Sequence, residues 1–129
     1  MTAASIVPDL KDYRHLVESA LVYAGWTHTF EDVEALLADG HVQAWFGPQS
    51  IVVTEVDRQP QKTTLNFFLA AGVSHELEAM QDGILRWAHE QGCTVARFIG
   101  RRGWERTFMA HTGWTNTRLI IMEKPIHGR

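Results

Sequence analysis

Gly92-Cys93-Thr94-Val95-Ala96-Arg97-Phe98-Ile99-Gly100-Arg101-Arg102-Gly103-Trp104-Glu105-Arg106 is the stretch around which the rest of the chain is organised. Val95 and Ile99 are β-branched, Phe98 is aromatic and glycines bound the run, a pattern that predicts a short buried strand over 94–99 rather than a helical segment. The run empties into Gly100 and Gly103, which free the backbone to turn, and into the guanidinium groups of Arg101, Arg102 and Arg106 beside Trp104. A cationic, aromatic strand end suits recognition; a solvated basic turn would carry the same residues.

Working back from this strand, Leu77, Met80, Ile84, Trp87 and Ala88 share one stripe of a helix that Ser74 is placed to cap and Gly92 to end. Before that helix, residues 63–71 form a strand around Leu65, Phe67, Phe68 and Leu69. A strand-helix-strand unit sets its two strands parallel through a right-handed crossover, so 63–71 and 94–99 are expected side by side. Earlier still, 42–46 and 51–56 read as a hairpin about Gly47-Pro48-Gln49, which with 63–71 makes a three-stranded antiparallel meander.

Two helices come first. Asp9 is placed to cap one that carries Leu10, Tyr13, Val17, Ala20, Leu21 and Ala24 and stops at Gly25. Trp26-Thr27-His28 connects it to a second, where Thr29 and Asp32 form an acidic version of the capping box ahead of Phe30, Val33, Leu36 and Leu37. Downstream of the central stretch, 103–111 reads as a short helix closed by Gly113, and 117–123 as a last strand stopped by Pro125. Residues 1–8 and 126–129 read as loose ends.

The chain has 129 residues, 45% of them hydrophobic, enough for one domain with a core that needs neither disulfides nor metal. Twelve basic against 15 acidic side chains leave a formal charge of -3, without the overall positive field of a general nucleic-acid binder. The lone Cys93 cannot make an internal disulfide, and 1–8 lack a basic region followed by an apolar stretch, so a cytoplasmic location is expected. No run approaches the roughly 18 apolar residues of a membrane span, and no membrane partner is expected. Neither is a metal, because the seven histidines are scattered without a closely spaced ligand pair.

The order helix, helix, three strands, helix, strand, short helix, strand, with Gly113-Trp114 before the last strand, resembles the GNAT-type N-acyltransferase superfamily over nearly the whole chain, the family's first strand being absent. The resemblance implies a single α/β (α+β) domain over 1–129 with a mixed, mostly antiparallel sheet flanked by helices. It also implies a cleft between two splayed parallel strands where the pantetheine arm of acetyl-CoA would lie, with the pyrophosphate at the N-terminus of the helix that follows. The phrasing Thr27-His28-Thr29 with Glu31-Asp32, Val53-Thr54-Glu55 and 100–106 further resembles small GNAT-like proteins of tailed phages and prophages, which would place the chain in a host cytoplasm or a virion.

Against that pattern, the loop Ala70-Ala71-Gly72-Val73-Ser74-His75-Glu76-Leu77-Glu78 offers one glycine and no arginine, and Glu76 and Glu78 bring negative charge to a helix start where a diphosphate needs positive. If acetyl-CoA binds, Leu69, Ala71, Gly72 and Ser74 are the residues implied to hold it. The tyrosine that active family members supply as general acid falls at Met109, whose thioether has no proton to give. Glu55 and His28 are of the right type for a general base, although Glu55 on a strand also reads as a solvated or ion-paired side chain. Thr27, His28, Arg101, Trp104 and Arg106 are expected to form a recognition surface for a protein or a small anionic ligand, with no cofactor. The function expected is that of a catalytically degenerate acetyltransferase homologue acting as a binding or virion assembly component. The alternative is an active acetyl-CoA-dependent N-acetyltransferase.

Overall fold

Strands β2 (Ser50–Arg58) and β3 (Thr63–Ala71) form the middle of a four-stranded sheet in the computed structural model, which describes residues 8–126. β1 (Gln43–Gly47) pairs antiparallel with β2, β2 antiparallel with β3, and β4 (Val95–Phe98) parallel with β3. The strand order is therefore the chain order, β1-β2-β3-β4. Helix α3 (Ser74–Glu90) makes the crossover that the parallel pair requires.

The sheet is covered on both faces. Ile51 and Val53 of β2 point to the side where α1 (Arg14–Tyr23) and α2 (Phe30–Ala38) bring Val17, Leu21, Phe30 and Val33, all of them buried. Val52 points to the other side, onto Leu77, Ile84 and Ala88 of α3 and onto Cys93. This explains why β2 reads as a nearly continuous apolar run rather than an alternating one. On β3, Leu65 joins the α3 side and Leu69 the α1 side, although four residues apart they would share a face in a regular strand. The register supplies the reason: Val53 faces Leu69 and Thr54 faces Phe67, so Phe68 is an extra residue, a β-bulge that reverses the parity of everything after it.

Several expectations from the sequence change. The first helix begins as a 3-10 turn, Leu10–Tyr13, that Asp9 caps by accepting from the Lys11 N–H at 3.1 Å, before α1 starts at Arg14. The cap of α3 is Val73, without a side-chain hydrogen bond, rather than Ser74, which is the first helical residue. The segment read as a short helix consists of two 3-10 turns, Arg102–Arg106 and Phe108–His111. β4 is an edge strand rather than a buried one, with Val95 40% exposed, because no strand covers its outer side among the described residues. Residues 117–123 have no regular structure and pair with no strand among the described residues, so the last strand is not formed; the apolar run is β-prone, but a strand exists only with a partner. The expectation for 1–7 and 127–129 lies outside the described residues. The capping box at α2 is present as predicted, Thr29 Oγ1 accepting from the Asp32 N–H at 3.1 Å while the Thr29 N–H donates to Asp32 Oδ2 at 2.9 Å. The Thr29 N–H first, and then the Thr29 hydroxyl, hold the Asp32 carboxyl below the usual aspartate range.

Candidate functional site

The parallel pairing of β3 with β4 runs from Thr64 opposite Val95 to Phe67 opposite Phe98 and stops at the residue before the bulge. Beyond it β3 continues to Ala71 while β4 has ended, and the two chains diverge. A bulge bends its strand and raises the local twist, which is the physical reason the separation opens there. The result is a cleft of about 300 Å³, walled by Phe68 to Gly72 on one side and Phe98 to Arg101 on the other. Leu16, Ala20 and Tyr23 of α1 roof it.

Aromatic and cationic groups ring this cleft. The Arg101 guanidinium stacks 3.7 Å from the centroid of the Tyr23 ring, a cation-π contact that binds the end of β4 to the end of α1. Phe98 and Trp104 meet edge to face with centroids 4.9 Å apart. Gly100 makes that pair possible, since a Cβ there would overlap the Phe98 ring and come to 3.0 Å from Trp104 Cδ1. Across the opening, the His28 ring meets Phe68 edge to face at 5.0 Å, and the Thr27 hydroxyl shares a 2.8 Å hydrogen bond with His28 Nδ1.

Arg101 and Trp104 thus lie on the cleft wall, and His28 reaches the cleft only through Phe68, with Thr27 behind it. Arg106 lies on the exposed 3-10 turn and is not part of the lining. Among the described residues, Arg101, Arg102 and Arg106 make no carboxylate ion pair. Glu105 instead accepts from Asn116 Nδ2 at 3.1 Å. Glu55 is exposed on β2, opposite Asn66, and lines no part of the cleft. Leu69, Ala71 and Gly72 do line it; Ser74 does not. Sequence reasoning missed Tyr23 and Phe68. Their signals were an aromatic at the last position of an amphipathic helix and the consecutive apolar residues Phe67-Phe68-Leu69, which break strict alternation.

Just past the C-terminal end of β3, the first turn of α3 is tied to the turn between β1 and β2. Glu76 Oε1 accepts from Ser50 Oγ at 2.6 Å and from the Gln49 N–H at 2.9 Å, and Ser50 Oγ accepts in turn from the Val73 N–H at 2.9 Å. The Ser50 hydroxyl first, and then the Gln49 amide, hold the Glu76 carboxyl below the usual glutamate range, so it is ionised at neutral pH. Gly72, at φ +131, passes so close to Ser50 and the Gln49 carbonyl that a side chain would collide with both. Glu78 takes no part; it faces His111 at 3.7 Å.

Beneath the Arg102–Arg106 and Phe108–His111 turns a second, nearly filled gap of about 20 Å³ is lined by Phe67, Leu77, Met109 and Trp114. The Trp114 indole N–H donates to Gln81 Oε1, and its ring meets Phe67 edge to face at 5.4 Å. Met109 sits in this apolar contact. Cys93 is buried against α3, and that burial pushes its thiol up, away from the reactive thiolate. Among the described residues no cluster of histidine, cysteine and carboxylate side chains is arranged to hold a metal ion. Nor is any helix there long and apolar enough to cross a membrane.

No protein-family model matches the sequence, and no curated protein does. The fold has a likeness in two crystal structures of TTHA1254 from Thermus thermophilus. A single-residue mutant of that protein superposes with a TM-score of 0.63 at 15% identity, covering 95% of this chain and 96% of that one. The wild type gives 0.61 at the same identity and coverage. At that identity the likeness shows a shared fold over essentially the whole of both chains.

Proposed function

We propose that the chain is a GNAT-like binding protein that has no transferase turnover and receives a small anionic ligand, or an acidic side chain of a partner protein, in the cleft between β3 and β4. The observation that carries this reading is Glu76. Its ionised carboxylate stands in the first turn of α3, held there by the Ser50 hydroxyl and the Gln49 N–H, and puts negative charge beside the helix start that a pyrophosphate would approach. Any diphosphate arriving there would face a like charge and a helix start from which arginine and lysine are absent between Ala70 and Glu78. The other end of the cleft has the opposite character, with Arg101 unpaired to any described carboxylate and set among Tyr23, Phe98 and Trp104. An anionic head on an apolar body suits that lining. A role in a phage or prophage virion, as structural or assembly component, rests on the motif resemblance at 27–32, 53–55 and 100–106.

A second reading, an active acetyl-CoA-dependent N-acetyltransferase, draws support from one observation: β3 beyond Phe67 has no strand partner on its β4 side, so its backbone groups are open to an extended, amide-bearing ligand. Calorimetric titration with acetyl-CoA decides between the two. The binding-protein reading expects no heat at millimolar cofactor; micromolar affinity would overturn it and restore the enzyme.

A further inference from the structure

Apart from Ile126, the large apolar side chains left exposed among the described residues fall into three groups. Val22, Tyr23 and Trp26 surround the end of α1 beside the cleft. Val95 and Ile99, 40% and 65% exposed, lie on and just past the edge strand β4. Leu119, Ile120, Ile121 and Met122 follow one another with exposures of 79%, 78%, 64% and 82%. A contiguous apolar run this exposed is uncommon in a monomer and marks a surface that something covers.

The last two groups are complementary. β4 is bonded to β3 on one side only, so its outer side presents a row of unpaired N–H and C=O groups. Residues 117–123 have no regular secondary structure but are rich in strand-forming side chains. Paired as a strand, with period 2, Leu119 and Ile121 would point one way and Ile120 and Met122 the other, so the segment would be apolar on both faces. Such a strand belongs in a sheet that is covered on both faces, as this one is.

The root of the arm is fixed to its own chain. Trp114 is tied to Gln81 and Phe67, and Asn116 to Glu105, close to where β4 ends. Asn116 Oδ1 then accepts from the Arg118 N–H at 2.7 Å, Arg118 turns the backbone at φ 66, and the apolar residues that follow are exposed. Among the described residues, one molecule therefore carries an unpaired strand edge and an unpaired apolar arm. A second copy presents the matching pair.

We propose that residues 117–123 of one chain add as a strand to the β4 edge of a second copy, which returns its own arm to the first, closing a two-fold dimer. Both edges are paired and both arms covered, with Val95 and Ile99 beneath them. Because Ile99, Gly100 and Arg101 continue directly from β4 into the cleft wall, each cleft gains a border from the partner's arm. The inference holds whatever ligand the cleft takes.

Light scattering after size exclusion, run over a dilution series, tests it. The full chain is expected at twice the monomer mass, and a chain ending at Asn116 at the monomer mass with an unchanged far-ultraviolet spectrum. Ile120→Pro, at a solvent-exposed position, keeps the apolar arm while removing a backbone donor, and is expected to give monomer as well. Hydrogen exchange on the full chain provides the measurement that needs no variant: the amides of 119–122 should be protected to the same degree as those of β4. A monomeric full chain, a dimer that survives both changes, or rapid exchange throughout 119–122 would each overturn the proposal.

Discussion

Ser50 and Glu76, 26 residues apart, meet in a 2.6 Å hydrogen bond that joins the start of β2 to the first turn of α3. Ser50 is fully buried and also accepts from the Val73 N–H, so one hydroxyl links a carboxylate to the entrance of the helix. Ser50→Ala removes both bonds and leaves the Val73 amide without an acceptor. The expected loss is about 1–3 kcal/mol, the cost of stranding a donor away from water. Urea unfolding measures it, and a change in midpoint without a change in slope is expected.

Glu76 gives that site a pH dependence. Its carboxyl titrates lower in the folded chain than in the unfolded one, so its contribution is complete above the ordinary glutamate range and is lost as pH falls through the depressed folded value. Acidification should therefore lower the stability of the natural chain more steeply than that of Glu76→Gln. Equal slopes in urea titrations from neutral to acid pH would show that the hydrogen bonds to Ser50 and Gln49 do not favour the charged form.

Gly72→Ala should be severe. At φ +131 a side chain is strained wherever it points, and here the added carbon would lie 2.6 Å from the Gln49 carbonyl oxygen. Backbone strain alone is worth about 1–3 kcal/mol, and the collision adds to it. A melting temperature within a degree of the parent would mean that the β3 to α3 corner rearranges freely.

Arg101→Ala separates recognition from stability. The guanidinium's contact with Tyr23 is at the surface, so its loss is expected to cost no more than about 1 kcal/mol while removing the cation from the cleft. Arg106→Ala, outside the lining, should change neither stability nor binding. Cooperative unfolding of Arg101→Ala at much lower temperature would assign the arginine to the fold instead of the site.

Met109→Leu tests the packing role of the position where the resemblance expects a proton donor. Met109 lines the apolar gap beneath Trp114, and a volume-conserving exchange there is expected to cost less than about 1.5 kcal/mol. Loss of a measured acyl transfer without loss of stability would contradict both the packing role and the binding-protein reading.

Much of this architecture was legible in the residues themselves, because it depends on short-range chemistry. The capping box of Thr29 and Asp32, the stripe of Leu77, Ile84 and Ala88 on α3, and the apolar runs of β2 and β3 are set by periods of 3.6 and 2 and by local hydrogen bonds. The parallel placement of β3 and β4 followed from the crossover that any strand-helix-strand unit must make. What only the tertiary structure decided were the events that depend on a distant partner. Whether 94–99 is buried or at an edge depends on a neighbouring strand, and 117–123 carries strand-forming residues that pair with no strand among the described residues. The bulge at Phe68 arises from the register of β3 against β2, and it both sends Leu69 to the opposite face and opens the cleft. Glu76 could be seen in the sequence as an acid at a helix start, but its acceptance of the Ser50 hydroxyl required the β1 to β2 turn to come across 26 residues of chain. A propensity belongs to a residue and its near neighbours, whereas pairing, burial and charge neutralisation belong to contacts that exist only once the chain has closed on itself.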